Sequence, residues 1–297
     1  MNTRCYIIMM AALLLTACAG EQRDYDAAGT FEATEVTVSA EATGGLMQFD
    51  VVEGQTLALG QQVGLIDTVQ LALKARGLGA TKASVANQRP NTQVQIAALR
   101  QQIAKAEKER DRYAALVKDG AANQKQLDDA ISTVSVLKKQ LEAQVATLGN
   151  STNSLNSQMT ATDIQREQVL DQLKKCHIVA PIGGTVLEKY VELGEYAVVG
   201  KPLFKLADID NLFLRAYVTS AQLSRVKIGQ QVTVYCDYGS GNRKQYTGTV
   251  VWISSQAEFT PKTILTDDER ANLVYAVKIA VKNDGNIKIG MYGEVKF

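Results

Sequence analysis

The chain has 297 residues, enough for one large domain or two to three small ones. Charged residues make up 21% and nearly cancel, with Lys+Arg 32 against Asp+Glu 31, so no general field draws the chain to nucleic acid. Aromatics are 6% with one Trp, which argues against a wholly globular chain and fits one with much extended helix and little core to fill.

Residues 1–17 read as a lipoprotein signal peptide. Arg4 is the positive start, and Tyr6 to Leu15 is an apolar run too short to span a bilayer well. Leu15-Thr16-Ala17-Cys18 follows, with small residues before a cysteine at the distance a lipidation site requires. Cys18 is therefore the expected lipid attachment. Acyl chains at ~0.8 kcal/mol per buried CH₂ would anchor it stably. Cleavage removes Arg4, leaving a net charge of zero. An ordinary secretory signal cut nearby is the competing reading. Cys5 leaves with the signal. Cys176 and Cys236 have no CxxC spacing, and a disulfide and two buried thiols both stay open.

Residues 18–28 form a polar linker. Residues 29–43 follow as an N-terminal strand joining a barrel, with Thr34, Val36 and Val38 alternating with polar neighbours. Two matching segments then flank a long insertion. The first, 44–67, holds Gly44-Gly45, Val52-Glu53-Gly54 and Gly60; the second, 177–208, holds Gly183-Gly184, Val191-Glu192-Leu193-Gly194 and Gly200. Leu193 reads as one extra residue in the second copy. Gly45, Gly54, Gly60, Gly184, Gly194 and Gly200 fall where short strands need tight turns with positive φ.

Between the copies, residues 68–176 carry a helical period. One seam runs Ile96, Leu99, Ile103, Ala106, Arg110, Tyr113, Val117; after a break at 118–123 a second runs Leu127, Ile131, Val134, Leu137, Leu141, Val145, Leu148. Both are narrow apolar stripes, as two helices paired with each other need. Arms of similar length make this a hairpin with its tip at about 117–124, each arm reaching on the order of 75 Å. Pro90 and Gly149 lie at matching heights, and a bend or interruption is expected there, with Gly77 and Gly79 loosening the segment further.

From 209 to 297 the pattern is β again, and short strands with Gly turns read as a small antiparallel barrel. Phe213–Val218, Gln231–Tyr235, Gly248–Ser254, Tyr275–Val281 and Gly293–Phe297 are the strands, with one or two helical turns in Ser220–Lys227. The fold class is α+β: a lipoyl-like β sandwich split by a coiled-coil hairpin, plus the barrel. A carrier of a swinging lipoyl arm needs a Lys where the helical insert stands. His177 beside Cys176 has no third metal ligand in view. No Gly-x-Ser-x-Gly or P-loop occurs. The acidic run Asp267-Asp268-Glu269-Arg270 reads as a solvated loop, and Lys118 and Lys125 as solubilising residues. No enzymatic activity, cofactor or metal is expected.

Three stretches together resemble the periplasmic adaptor, or membrane-fusion, proteins of the HlyD family: Ile178-Val179-Ala180-Pro181-Ile182-Gly183-Gly184-Thr185-Val186, Leu206-Ala207-Asp208-Ile209-Asp210-Asn211-Leu212, and Ala257 to Ile279. The last is similar to the branch that serves ABC-type exporters. The resemblance implies an adaptor subunit of a tripartite efflux or secretion system. It would join an inner-membrane transporter of ABC type to a TolC-like outer-membrane channel, self-associate commonly as a hexamer, and sit in the periplasm on a lipid anchor, preferably at the inner membrane. An adaptor of a proton-driven pump and a coiled-coil spacer lipoprotein are the alternatives. In related adaptors the tip carries an Arg, a Leu, and a Ser seven residues after the Leu. Arg112 and Leu116 match, Gly120 turns the tip, and Asn123 replaces the Ser while still able to cap a helix. With the barrel expected to run to Phe297, little sequence is left to form the separate membrane-proximal domain seen in some relatives.

Overall fold

The computed structural model describes residues 25–238, 243–258 and 273–297. Two compact units emerge, one of them Leu65–His177 and the other built from the chain on either side. The expected lipid attachment at Cys18, the turn Gly239-Ser240-Gly241 and the acidic run at 267–270 lie outside the described residues.

The flanking unit is β throughout except for one short helix. Its strands are β1 (Ala27–Ser39), β2 (Gly44–Phe49), β3 (Thr56–Leu57), β4 (Gln62–Ile66), β5 (His177–Val179), β6 (Gly184–Lys189), β7 (Tyr196–Ala197), β8 (Pro202–Thr219), β9 (Gln231–Asp237), β10 (Arg243–Ile253), β11 (Val274–Lys282) and β12 (Tyr292–Lys296). The larger sheet runs β1-β12-β9-β10-β11-β8-β6-β3, and β1 also pairs β8. That extra pairing closes six strands into a barrel, which removes their open edges. The smaller sheet runs β5-β4-β2-β7.

Alternation builds the barrel. Val232, Val234 and Cys236 of β9 point inward, as do Leu212, Leu214, Ala216 and Val218 of β8. Phe31 sits at the centre with 0% exposure. Gly293 makes room for it, because a Cβ there would stand 2.7 Å from the Phe31 ring. The helical reading of Ser220–Lys227 narrows to a single turn, Ser220–Leu223. Its Thr219 cap and Gln222 satisfy each other's orphan groups, and the chain then turns towards β9.

The split repeat is more regular than its sequence suggests. A constant shift of 140 residues (194 − 54) carries the first copy onto the second. Gly54 N–H donates to the Val186 carbonyl at 2.8 Å, and Gly194 N–H donates to that of Leu46 at 3.1 Å. Asp50 donates to Val63 and Tyr190 to Leu203; Gly60 donates to Ala180 and Gly200 to Ala40. Cross-strand pairs obey the same shift, Thr56 with Thr185 and Gly45 with Tyr196. No extra residue stands at Leu193, which matches Glu53. The Gly-Gly pairs are instead one residue out of phase, and matching them by eye created the apparent insertion.

The strand expected to begin at Phe213 is the end of the longer β8. Along β1 the register steps from Glu32↔Phe213 to Thr34↔Asp208, so residues 209–212 face Ala33 alone. The Asp208 carboxylate holds this bulge by accepting from the N–H groups of Asp210 (3.1 Å) and Asn211 (3.2 Å).

The unit Leu65–His177 is helical: α1 (Val69–Asn87), α2 (Thr92–Lys118) and α3 (Gln124–Lys175). Pro90 interrupts the first arm as expected, because it lacks the N–H that a helix interior uses. Asn91 restarts the helix by accepting from Val94 N–H at 3.1 Å. The second arm is not interrupted: α3 runs through Gly149 for 52 residues. The 1 kcal/mol or so that Gly costs is a local preference, and packing along both α1 and α2 overrides it.

Candidate functional site

The hairpin tip is built from two interlocking caps. At the end of α2, Ala121 N–H donates to Leu116 O (2.8 Å) and Gly120 N–H donates to Val117 O (3.1 Å). This paired closure needs a left-handed residue, and Gly120 supplies φ +72°. Three residues after Gly120, Asn123 opens α3. Its side chain accepts from Gln126 N–H at 2.9 Å, while Gln126 Oε1 accepts from Asn123 N–H at 3.2 Å. Gln126 was not singled out from the sequence, although its place three residues after an Asn cap is the signal for such a box. All four expected tip residues therefore lie on one turn and the helix leading to it. Arg112 is exposed and 3.9 Å from Glu109, too loose a pair to hold it; Leu116, one helical turn later, is half-buried. Gly120 and Asn123 are exposed. The tip thus offers a cation, an apolar edge and a rigid turn.

Behind the tip the seam of α2 is as read, from Ile96 to Val117, with Ile103 buried. The seam of α3 slips at two places. Ile131 and Val145 are 47% and 45% exposed, and Ala130 and Gln144 take the inward positions instead. Inward residues then run Leu127, Ala130, Val134, Leu137, Leu141, Gln144, Leu148, Thr152, Leu155, Met159 and Thr162. Steps of three and four alternate, except for two fours in succession around Leu148. Four extra residues in a heptad pattern unwind the supercoil locally. The stutter falls where α3 changes partner. On one side Gln144 bonds Gln95 of α2 (3.2 Å); on the other Arg89, just after α1, bonds Asn156.

The slip gives the hairpin two unlike flanks. One flank carries Ile131 and Val145, with the Lys138–Glu107 ion pair (2.7 Å) between them. The other carries two hollows of about 500 and 510 Å³. Gln126, Asp129, Ala130 and Thr133 line the first, and Gln140, Ala143, Gln144 and Thr147 line the second. Each residue of the second set lies 14 after its counterpart (140 − 126), as Val145 does after Ile131. Two heptads are about 21 Å of helix. Knobs and hollows therefore share one spacing, which reading by hydrophobicity alone missed because the hollows are lined mostly by polar and small residues.

In the other unit Gly54, Gly60, Gly194 and Gly200 hold φ between +75° and +89° in the strand-connecting turns. Gly45 and Gly184 make no turns; they stand within β2 and β6. Gly184 serves close approach, since a Cβ there would meet the Ala207 carbonyl oxygen at 2.3 Å. Cys176 and Cys236 are free and buried, and burial pushes both thiols up, away from reactivity. His177 is exposed, and no metal-holding cluster occurs among the described residues. On the barrel, a hydrogen bond from Lys244 holds the Asp284 carboxyl well below its ordinary range, with Tyr246 donating to it at 3.1 Å. No helix among the described residues is long and apolar enough to cross a membrane.

No family model matches the chain. It is 36% identical over 126 residues to the UPF0194 membrane protein YbhG of Salmonella arizonae and of Salmonella gallinarum. That match covers 42% of this chain and 38% of those relatives, so the chain matches well under half of their length. Among solved structures, MacA from Actinobacillus actinomycetemcomitans superposes with a TM-score of 0.54 at 21% identity, over 91% of this chain and 76% of that one. The membrane fusion protein Spr0693 from Streptococcus pneumoniae R6 gives 0.50 at 16% identity, over 91% and 97%. The fold is that of the membrane-fusion, or periplasmic adaptor, proteins: a long helical hairpin set in a split β module beside a closed barrel.

Proposed function

We propose that this protein is the periplasmic adaptor of a tripartite efflux or secretion system, joining an inner-membrane ABC-type exporter to a TolC-like outer-membrane channel. The observation that carries the reading is the hairpin inserted into a two-fold β module beside a six-stranded barrel, the fold it shares with MacA. Lipid on Cys18 tethers the chain to the inner membrane, the barrel meets the transporter, and Arg112, Leu116, Gly120 and Asn123 present the tip to the channel. The protein conducts and couples, and leaves ATP hydrolysis to its partner.

The flanks of the hairpin support self-association. Ile131 and Val145 of one copy enter the two hollows of the next, and both contacts form together because the spacings agree. Such a contact joins unlike surfaces and builds a ring when the rotation between copies closes, with six copies the expected number. Cysteines replacing Leu116 and Asn123, crosslinked in envelopes that also contain the exporter, should capture an outer-membrane protein; capture of none would sink the reading. Ile131→Glu with Val145→Glu should abolish the ring in size-exclusion chromatography with light scattering while helical circular dichroism is retained.

A further inference from the structure

Register fixes which strand ends share each mouth of the barrel. Ala27 pairs Val295, Ala28 pairs Tyr217, Val274 pairs Thr219, Ile253 pairs Val277, and Gln231 pairs Thr249. The starts of β1, β9 and β11 therefore gather with the ends of β8, β10 and β12 at one mouth. The N-terminal segment enters there: the Asp26 carbonyl accepts from Gln222 Nε2 at 2.5 Å, and its carboxylate accepts from Phe297 N–H at 2.8 Å.

This mouth carries an apolar patch. β10 bulges between Val250, paired with Ile279, and Trp252, paired with Lys278. The extra residue sets two successive side chains outward, Val251 at 43% and Trp252 at 41% exposure. Gly229 N–H donates to Val250 O at 2.8 Å and Val250 N–H donates to Gln230 O at 2.9 Å, which places Ile228, 69% exposed, beside them. Scattered exposed apolar residues are ordinary; three on adjoining segments, including the chain's single Trp, are a surface. Arg225 and Lys227, on the same turn as Ile228, are exposed cations. Lys278 faces Trp252 across the strands, with Glu32 3.8 Å away.

We propose that this mouth seats on an anionic lipid surface, with Trp252, Val251 and Ile228 entering the interface and Arg225 and Lys227 on the headgroups. Aromatic and apolar side chains ringed by Lys and Arg are what an interface binds. Cations near an anionic leaflet are drawn to its headgroups. The tether argues for lipid as the occupant, and this step rests on the proposed attachment at Cys18. Asp26 lies eight positions after Cys18 (26 − 18), so a fully extended chain between them reaches at most about 28 Å. A barrel mouth entered by so short a tether cannot stray far from the bilayer that holds the anchor.

The single Trp makes the test direct. The full chain, purified from membranes, is reconstituted into vesicles of phosphatidylcholine with phosphatidylglycerol, with and without bromine on the upper acyl carbons. Trp252 emission should fall about two-fold with brominated lipid and shift to the blue. Arg225→Glu with Lys227→Glu should restore the emission while the protein still floats with the vesicles. Flotation without quenching overturns the proposal. A blue shift that needs an added membrane-protein partner, and not lipid, also overturns it by assigning the patch to a protein. Failure to float refutes the anchor at Cys18 alone; quenching by excess vesicles then decides the patch, its presence supporting the proposal and its absence ending it.

Discussion

The barrel and the hairpin solve the same burial problem at different densities. In the barrel, Phe31, Leu212, Leu214 and Ile279 are each under 2% exposed, enclosed by strands on every side. Along α3 only Val134, Leu148, Thr162 and Val169 are buried, one residue every few turns. A closed barrel makes its own inside, whereas two or three helices share a seam and leave their flanks to solvent or to neighbours. The difference suits the proposed assembly, in which the barrel holds its shape alone and neighbouring copies cover the flanks of the hairpin.

The largest expected effect tests the barrel side. Phe31→Ala should cost about 3–5 kcal/mol, because Gly293 and its neighbours cannot collapse into the cavity. Urea unfolding followed by Trp252 fluorescence reports it, and a loss below ~1 kcal/mol would mean that the barrel core is loosely packed. A smaller effect of opposite sign tests the hairpin. Gly149→Ala should stabilise α3 by about 1 kcal/mol, since the helix is continuous there and a Cβ meets nothing within 4 Å. Helical circular dichroism against temperature measures it; destabilisation would point to a break at Gly149. The smallest effect lies in acid. The folded carboxyl of Asp284 titrates below its unfolded range, so its contribution is present above about pH 4 and fades as pH falls through the depressed folded value. Asp284→Asn should flatten the fall in barrel stability below pH 4 and leave slow-exchanging amides of α3 unchanged.

How much was legible follows the same division. The barrel strands alternate, and alternation reads directly. The seam of α2 was legible because its inward residues are mostly large. On α3 the eye takes Ile131 and Val145, while helix contact prefers Ala130 for close approach; hydropathy carries no information about distance. Pro90 removes a hydrogen bond wherever it stands, so its break was readable. Gly149 only weakens a preference, and tertiary packing decided otherwise. The tip residues Arg112, Leu116, Gly120 and Asn123 were found by resemblance, and the caps that make them rigid came from geometry. The repeat was recognised, but its phase was not, because Gly pairs were aligned where backbone bonds align one residue apart.

β1 and β8 give the β unit a mechanical property. Their pairing begins inside the barrel at Ala28↔Tyr217 and continues past the Asp208 bulge to Ser39↔Pro202, where β8 also pairs β6. Two antiparallel strands therefore cross from barrel to sheet side by side. A single crossing strand would act as a swivel. A ribbon transmits torque, and a pull along its axis loads many hydrogen bonds in shear at once rather than peeling them in turn. Twisting applied at the barrel would reach the split β module as rotation, with the four residues 209–212 the largest break in the register and a place where the ribbon can yield.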